Sequence, residues 1–161
     1  MKAVHWLFLI SICLFISGIG FVVVGARSAR QATPAKAPVA TPVASIKQIM
    51  KGIVQPNATI VYNAVGSTIT AQGTEERAPK TAEEWESVGN SAAALIESGN
   101  MLLVGNRVLD SGDWVKLAHD LINGGKDALK AAESKSVDGV FASGEPINDS
   151  CDACHAKYQR R

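Results

Sequence analysis

CDACHAKY, residues Cys151 to Tyr158, carries the chemistry that the rest of the chain has to accommodate. Cys-x-x-Cys-His is the attachment signature of c-type haem. Two thiols add across the vinyl groups of the macrocycle, and the histidine that follows them binds the iron. On a helix Cys151 and Cys154 lie three apart and His155 lies four from Cys151, so all three side chains share one face. A flat macrocycle tethered at two edges then has an imidazole aimed at its metal.

Two other chemistries use a cysteine pair at this spacing. Zinc wants four ligands. Beyond Cys151 and Cys154 the chain offers His155, His119, His5 and Cys13, and the last two sit in an apolar leader. A redox pair expects a strand–helix–strand setting, and the surrounding sequence reads as helix. Haem attachment is the better account.

Haem ligation to cysteines is completed outside the cytoplasm, so the motif predicts an export signal. Residues 1–26 fit a signal peptide or an N-terminal membrane anchor. Lys2 gives a positive start, and Trp6 to Val24 is nineteen uncharged, almost wholly apolar residues. That length falls between the core of a secretory signal, about 7–15 residues, and a spanning helix, about 20. Val24-Gly25-Ala26 would serve as a cleavage site, and Cys13 is an apolar residue of the leader. Residues 27–44, RSARQATPAKAPVATPVA, form an Ala/Pro-rich linker of the kind that spaces a tethered domain from a membrane. The folded part is therefore expected to be extracytoplasmic: periplasmic, and anchored to the inner membrane by residues 6–24 if the leader is retained.

Residues 45–161 make one domain of 117 residues, with twelve Lys and Arg against fifteen Asp and Glu, a net charge of −3. No basic patch interleaved with aromatics argues for nucleic acid as a partner. The domain's only cysteines are the motif pair, so a disulfide is not available if both hold haem.

Four stretches carry helical periodicity. The first runs from Ile46 to Val65, with a kink expected at Pro56. The segment 66–80, GSTITAQGTEERAPK, is polar and rich in Gly and Pro, which predicts a loop. Thr81-Ala82-Glu83-Glu84 fits a capping box opening a second helix through Trp85, Val88, Ala92, Leu95 and Leu102. A break at 106–112 follows, with Asp110, Ser111 or Asp113 available as a cap. The third helix shows Trp114, Leu117, Ala118, Leu121, Ile122 and Ala128, weakened at Gly124 and Gly125 by about 1 kcal/mol each unless those glycines admit another backbone. The fourth runs from Val137 through Cys151 and Cys154 to Tyr158, with a kink at Pro146. This pattern predicts an all-α fold, an antiparallel four-helix bundle with haem attached near its C-terminus.

A lone Cys-x-x-Cys-His on the last helix of such a domain resembles the class II c-type cytochromes, meaning cytochrome c′ and its low-spin relatives. The resemblance covers residues 45–161 and rests on CDACHAKY, on the opening SIKQIMKGIVQP (45–56) and on tryptophans beginning the two middle helices. It implies one haem c, with Cys151 and Cys154 as thioether attachments and His155 as the proximal iron ligand. The family's distal position lies on the first helix, where Met50 is the best match. The arginine these proteins often carry four residues earlier is Ile46 here, with Lys47 one place late. The basic residue four after the histidine is Gln159, so a propionate contact would shift to Arg160. Met101 is expected in packing, and His119 on the surface beside the apolar stripe. Trp85 and Trp114 are expected as core anchors, and Tyr62 and Tyr158 as packing for the macrocycle or the core.

The expected function is an extracytoplasmic one-electron carrier, not an enzyme, meeting redox partner proteins through transient interfaces. The alternative is a five-coordinate haem protein that binds NO or CO for sensing or detoxification, its distal face closed by Ile49 or Ile53. A peroxidase-like role would need a distal proton-transfer group, for which only His119 could be nominated. Pairing of two bundles is common in the resembled family, so a homodimer is open to this chain.

Overall fold

A computed structural model of the protein describes residues 5–7, 10–16 and 40–159. The chain divides into two compact units, Met1–Val39 and Ala40–Arg161. In the first, residues 5–7 and 10–16 are helical with exposed side chains. The rest of the expected leader and the linker up to residue 39 lie outside the described residues, as do Arg160 and Arg161. No helix among the described residues is long and apolar enough to cross a membrane.

The second unit is mostly helical. Helix α1 (Ile46–Ile49) passes through a π turn (Met50–Val54) into α2 (Gln55–Ala64). A hairpin of β1 (Gly66–Thr70) and β2 (Gly73–Arg77) follows, then α3 (Ala82–Leu102), a short 3₁₀ turn (Gly105–Arg107), α4 (Asp113–Glu133) and α5 (Val137–Tyr158). Local chemistry sets most of these boundaries. The Ser45 hydroxyl accepts from Gln48 N while the Gln48 side chain accepts from Ser45 N, a capping box that opens α1. Thr81 and Glu84 do the same for α3, as the sequence predicts. Of the three candidates for the α4 cap, Asp110 supplies the side chain, from two residues before the N-cap position. Gly112 holds the N-cap position with no side chain to offer, and Asp110 Oδ1 reaches in to accept from Gly112 N and Trp114 N at 2.9 and 3.1 Å.

The hairpin corrects the expected loop. Its antiparallel register pairs Gly66 with Arg77 and Thr70 with Gly73. Every β2 residue is exposed, and Ile69 on β1 is 84% exposed. A strand pair with no buried face carries no apolar alternation, which is the signal by which a strand is read from sequence.

Contacts between successive long helices run in opposite senses. On α3 against α4, Gly89 meets Leu129 and Ala132, Gly99 meets Ala118 and Ile122, and the end of α3 meets Trp114. On α4 against α5, Ala131 meets Gly139 and Gly124 meets Ile147. Gly124 and Gly125 are thus sites of close approach. A Cβ on Gly124 would sit 2.7 Å from Ile147 Cγ1, and one on Gly125 2.9 Å from Ile96 Cγ1. The core is a continuous cluster including Ile49, Val61, Leu95, Leu121 and Ile147. Arg107 ties the incoming chain to this unit, donating from Nε and Nη2 to Ala44 O at 3.1 and 2.9 Å and from Nη1 to Met101 O.

Two substitutions test this packing in opposite directions. Lys135 ends α4 with φ 53°, and Ser136 N donates to Ala131 O while Lys135 N donates to Ala132 O. That is a Schellman cap with a side chain where glycine is easiest, so Lys135→Gly is expected to stabilise the fold by about 1 kcal/mol. Gly99 has no room: a Cβ there would lie 2.5 Å from Ile122 Cγ1 and 3.1 Å from Ala118 O. Gly99→Ala is expected to cost about 1–3 kcal/mol. Chemical denaturation with unchanged m-values checks both.

Candidate functional site

Helix α5 reaches Cys151 after an uninterrupted run from its Ser136 cap, whose Oγ accepts from Gly139 N at 3.1 Å. Pro146 sits inside this helix and does not end it. Cys151 and Cys154 are half-buried on the inward side of the last turns, while His155 is largely exposed at the rim.

These three side chains border an apolar cavity together with Ser150, and its far walls come from three other parts of the chain. Met50 and Val54 line it from the π turn, Leu102 from the end of α3, and Trp114, Leu117, Ala118 and Leu121 from α4. Its empty volume is about 430 Å³, open mouth included. The structure therefore brings together all four residues singled out from the sequence, Cys151, Cys154, His155 and Met50, although Met50 precedes Cys151 by about a hundred positions. His119 and Met101 do not line the cavity, and both are exposed.

Trp114 organises the closed end of the site. Its Nε1 donates to Leu102 O at 3.0 Å, and its ring meets Tyr158 edge-on at 5.1 Å. The Tyr158 hydroxyl donates to Asp110 Oδ2, and Lys157 Nζ lies 2.7 Å from Asp113 Oδ2. One aromatic residue thus joins the ends of α3 and α5 to the start of α4. Hydrogen bonds from Tyr158 first, then from the Trp114 and Gly112 amides, hold the Asp110 carboxyl below the usual carboxylate range. The Leu102, Leu117 and Trp114 walls carry only packing chemistry, and no sequence motif marks them.

Burial pushes both motif thiols up from their ordinary value. Asp152 adds to this at Cys151, as does Cys151 at Cys154, while a hydrogen bond from Ser150 opposes it at Cys151. Among the described residues no group of three or more His, Cys, Asp or Glu gathers as a metal site. The donor set is of the kind that a covalently held haem would use. Two neutral thiols are set on one helix face, an adjacent imidazole stands at the rim, a thioether lies across the cavity, and the walls between are apolar.

Tyr62 stands apart from this cavity. It borders a second groove with Val65, Phe141 and Gly144, where Phe141 is 69% exposed rather than part of the inward face. Comparison with protein-family models, with curated proteins and with solved structures found no match for this chain.

The tyrosines give a pH prediction. Burial first, then negative charge at Cys151 and Asp152, pushes the Tyr62 phenol up to about 12. Tyr158 is also raised, by burial and then by its bond to Asp110. Both phenols in the unfolded chain ionise near 10. The stabilisation from keeping them neutral is fully present below pH 10 and is lost as pH rises through the folded value. Spectrophotometric titration near pH 10 should show less tyrosinate in the folded protein than in urea, where the two phenols are each about half ionised, with stability falling between pH 10 and 12.

Proposed function

We propose that this chain is an extracytoplasmic c-type cytochrome of the class II kind, an antiparallel four-helix bundle that carries one electron at a single haem c. The α1–α2 segment, α3, α4 and α5 supply the four helices. The observation that carries this reading is the shared cavity, where Met50 from the first helical segment and Cys151, Cys154 and His155 from the last line one apolar space.

In this reading Cys151 and Cys154 would hold the haem, each thiol having added across one vinyl double bond, and His155 and Met50 would ligate its iron. Bound there, the haem supplies a one-electron ferric–ferrous couple. The chain supplies the conditions. A methionine thioether is a neutral donor, which raises the potential relative to imidazole or thiolate. Val54, Leu117 and Leu121 keep the cavity apolar, which disfavours the more highly charged oxidised state. Trp114, fixed from two sides, resists rearrangement of the wall when the charge changes. Partners are other redox proteins met through small transient interfaces, and a retained leader would confine that search to a membrane surface.

The test is the absorption spectrum of protein matured with a c-type haem assembly pathway, oxidised and then reduced. A low-spin spectrum with a methionine-to-ferric-iron charge-transfer band is expected. Met50→Ala should abolish the band and convert the haem to high-spin. A parent protein that is already high-spin and shifts with carbon monoxide or nitric oxide would favour the gas-binding alternative. Absence of covalent haem would overturn both.

A further inference from the structure

The π turn between α1 and α2 offsets the two halves of the first helical segment. Within it Gln55 N donates to Met50 O, five residues back instead of four. One extra residue is accommodated, so side chains on either side differ in phase by about 100° from a regular helix. Burial records the offset. Downstream, Val54, Ala58, Val61 and Val65 are buried at intervals of four, three and four. Upstream, Ile49 is 1% exposed and Ile46 packs on the core, so the interval from Ile49 to Val54 is five residues.

A regular helix extended backwards from Val54 would have other consequences. Met50, four residues before Val54, would take the direction that Ile49 now holds. Lys47, seven before Val54, would point at the core. Lys51, three before Val54, would take the direction in which Met50 now borders the cavity. Both lysines are instead exposed.

We propose that the π turn is the device that presents Met50, and not Lys51, to the cavity, with Pro56 as its positioning residue. Pro56 stands in the first turn of α2. It has no N–H to give the Gly52 carbonyl and its ring would collide with that carbonyl, so the regular ladder is penalised at this place. Gly52 is exposed, with no atom within 4 Å of where its Cβ would stand, so the extra residue is accommodated at an open surface position. Just beyond the turn, Asn57 Nδ2 donates to Ile53 O at 2.7 Å and Thr59 Oγ1 to Gln55 O at 2.8 Å. Side chains thereby supply donors to carbonyls where the ladder changes. The inference rests on the proposed haem reading and adds how the distal ligand is selected.

The experiment uses the full chain loaded with haem, in two variants. The first deletes Gly52 and carries Pro56→Ala. It removes the extra residue and the proline together, so a regular helix leaves Ile49 and Met50 facing as they do now. The second inserts one alanine after Gly52, which turns residues 46–51 by about a further 100°. The deletion variant is expected to fold with the parent's helix content and keep both the methionine-to-iron band and the reduction potential. The insertion variant is expected to lose the band. A deletion variant that loses the band, or that fails to fold, overturns the proposal, and so does an insertion variant that keeps the band. Met50→Ala in the parent separates the two levels. If it leaves the parent spectrum unchanged, the haem-ligand reading fails. If it abolishes the band while the deletion variant also lacks it, only the phase argument fails.

Discussion

The indole of Trp114 is the point on which the cavity depends. Its N–H is spent on the last carbonyl of α3 and its edge on Tyr158, whose hydroxyl returns to Asp110 beside the start of α4. A buried tryptophan contributes large apolar area and needs one polar partner. Here that partner is a carbonyl at a helix end, one of the groups that a helix cannot satisfy internally. Three helix ends are thus tied at one place, so the wall opposite Cys151 and Cys154 is held by directed bonds as well as by packing. The wall can then stay rigid although one side of it faces open space.

That open space is an apolar pocket with its mouth to solvent. Elsewhere the helices approach until no Cβ fits, as at Gly99, Gly124 and Gly125. A chain able to close its core so tightly could have filled the cavity with longer side chains. Ala118 lies on its floor, and Ser150 beside it turns its hydroxyl back to Ile147 O at 2.7 Å. Small residues and satisfied polar groups leave an apolar surface with nothing of the chain to cover it. Apolar surface left open to solvent gives up the stabilisation its burial would contribute, and a large apolar group seated there would recover it. The proposed haem would restore that missing packing as well as bring its chemistry.

How far the sequence could be read follows from where its signals are local. The capping box at Thr81, the limits of α5 at Val137 and Tyr158, and the shared face of Cys151, Cys154 and His155 each depend on residues within a few positions of one another. All were legible. The hairpin was not, because strands exposed on both faces lack apolar alternation and Ile69 faces solvent. Gly124 and Gly125 read either as weak points of a helix or as places where another backbone comes close, and what the sequence did not give was the partners, Ile147 and Ile96, which lie on other helices. The cavity walls at Leu102, Leu117 and Trp114 looked like any apolar stripe. Met50 was reached by resemblance and not by its own signal, because a methionine on an apolar face is most simply packing.

The π turn shows why Met50 resisted a direct reading. Two apolar stripes, 46/49 and 54/58/61/65, are each regular and are out of step by one residue. A single helical period cannot bury both. Forcing one would bring Lys47 to the core, whose charge has no partner there to offset its desolvation. The hydrophobic pattern therefore favours the offset, and Pro56 weakens the regular alternative at the same place. Neither signal alone identifies a π turn, since a proline at this position would equally mark a kink. Ile53 and Ile60 also lie in step with Ile46 and Ile49, so the sequence admits one regular helix as well, and it is the burial of Val54, Ala58, Val61 and Val65 in the fold that separates the two.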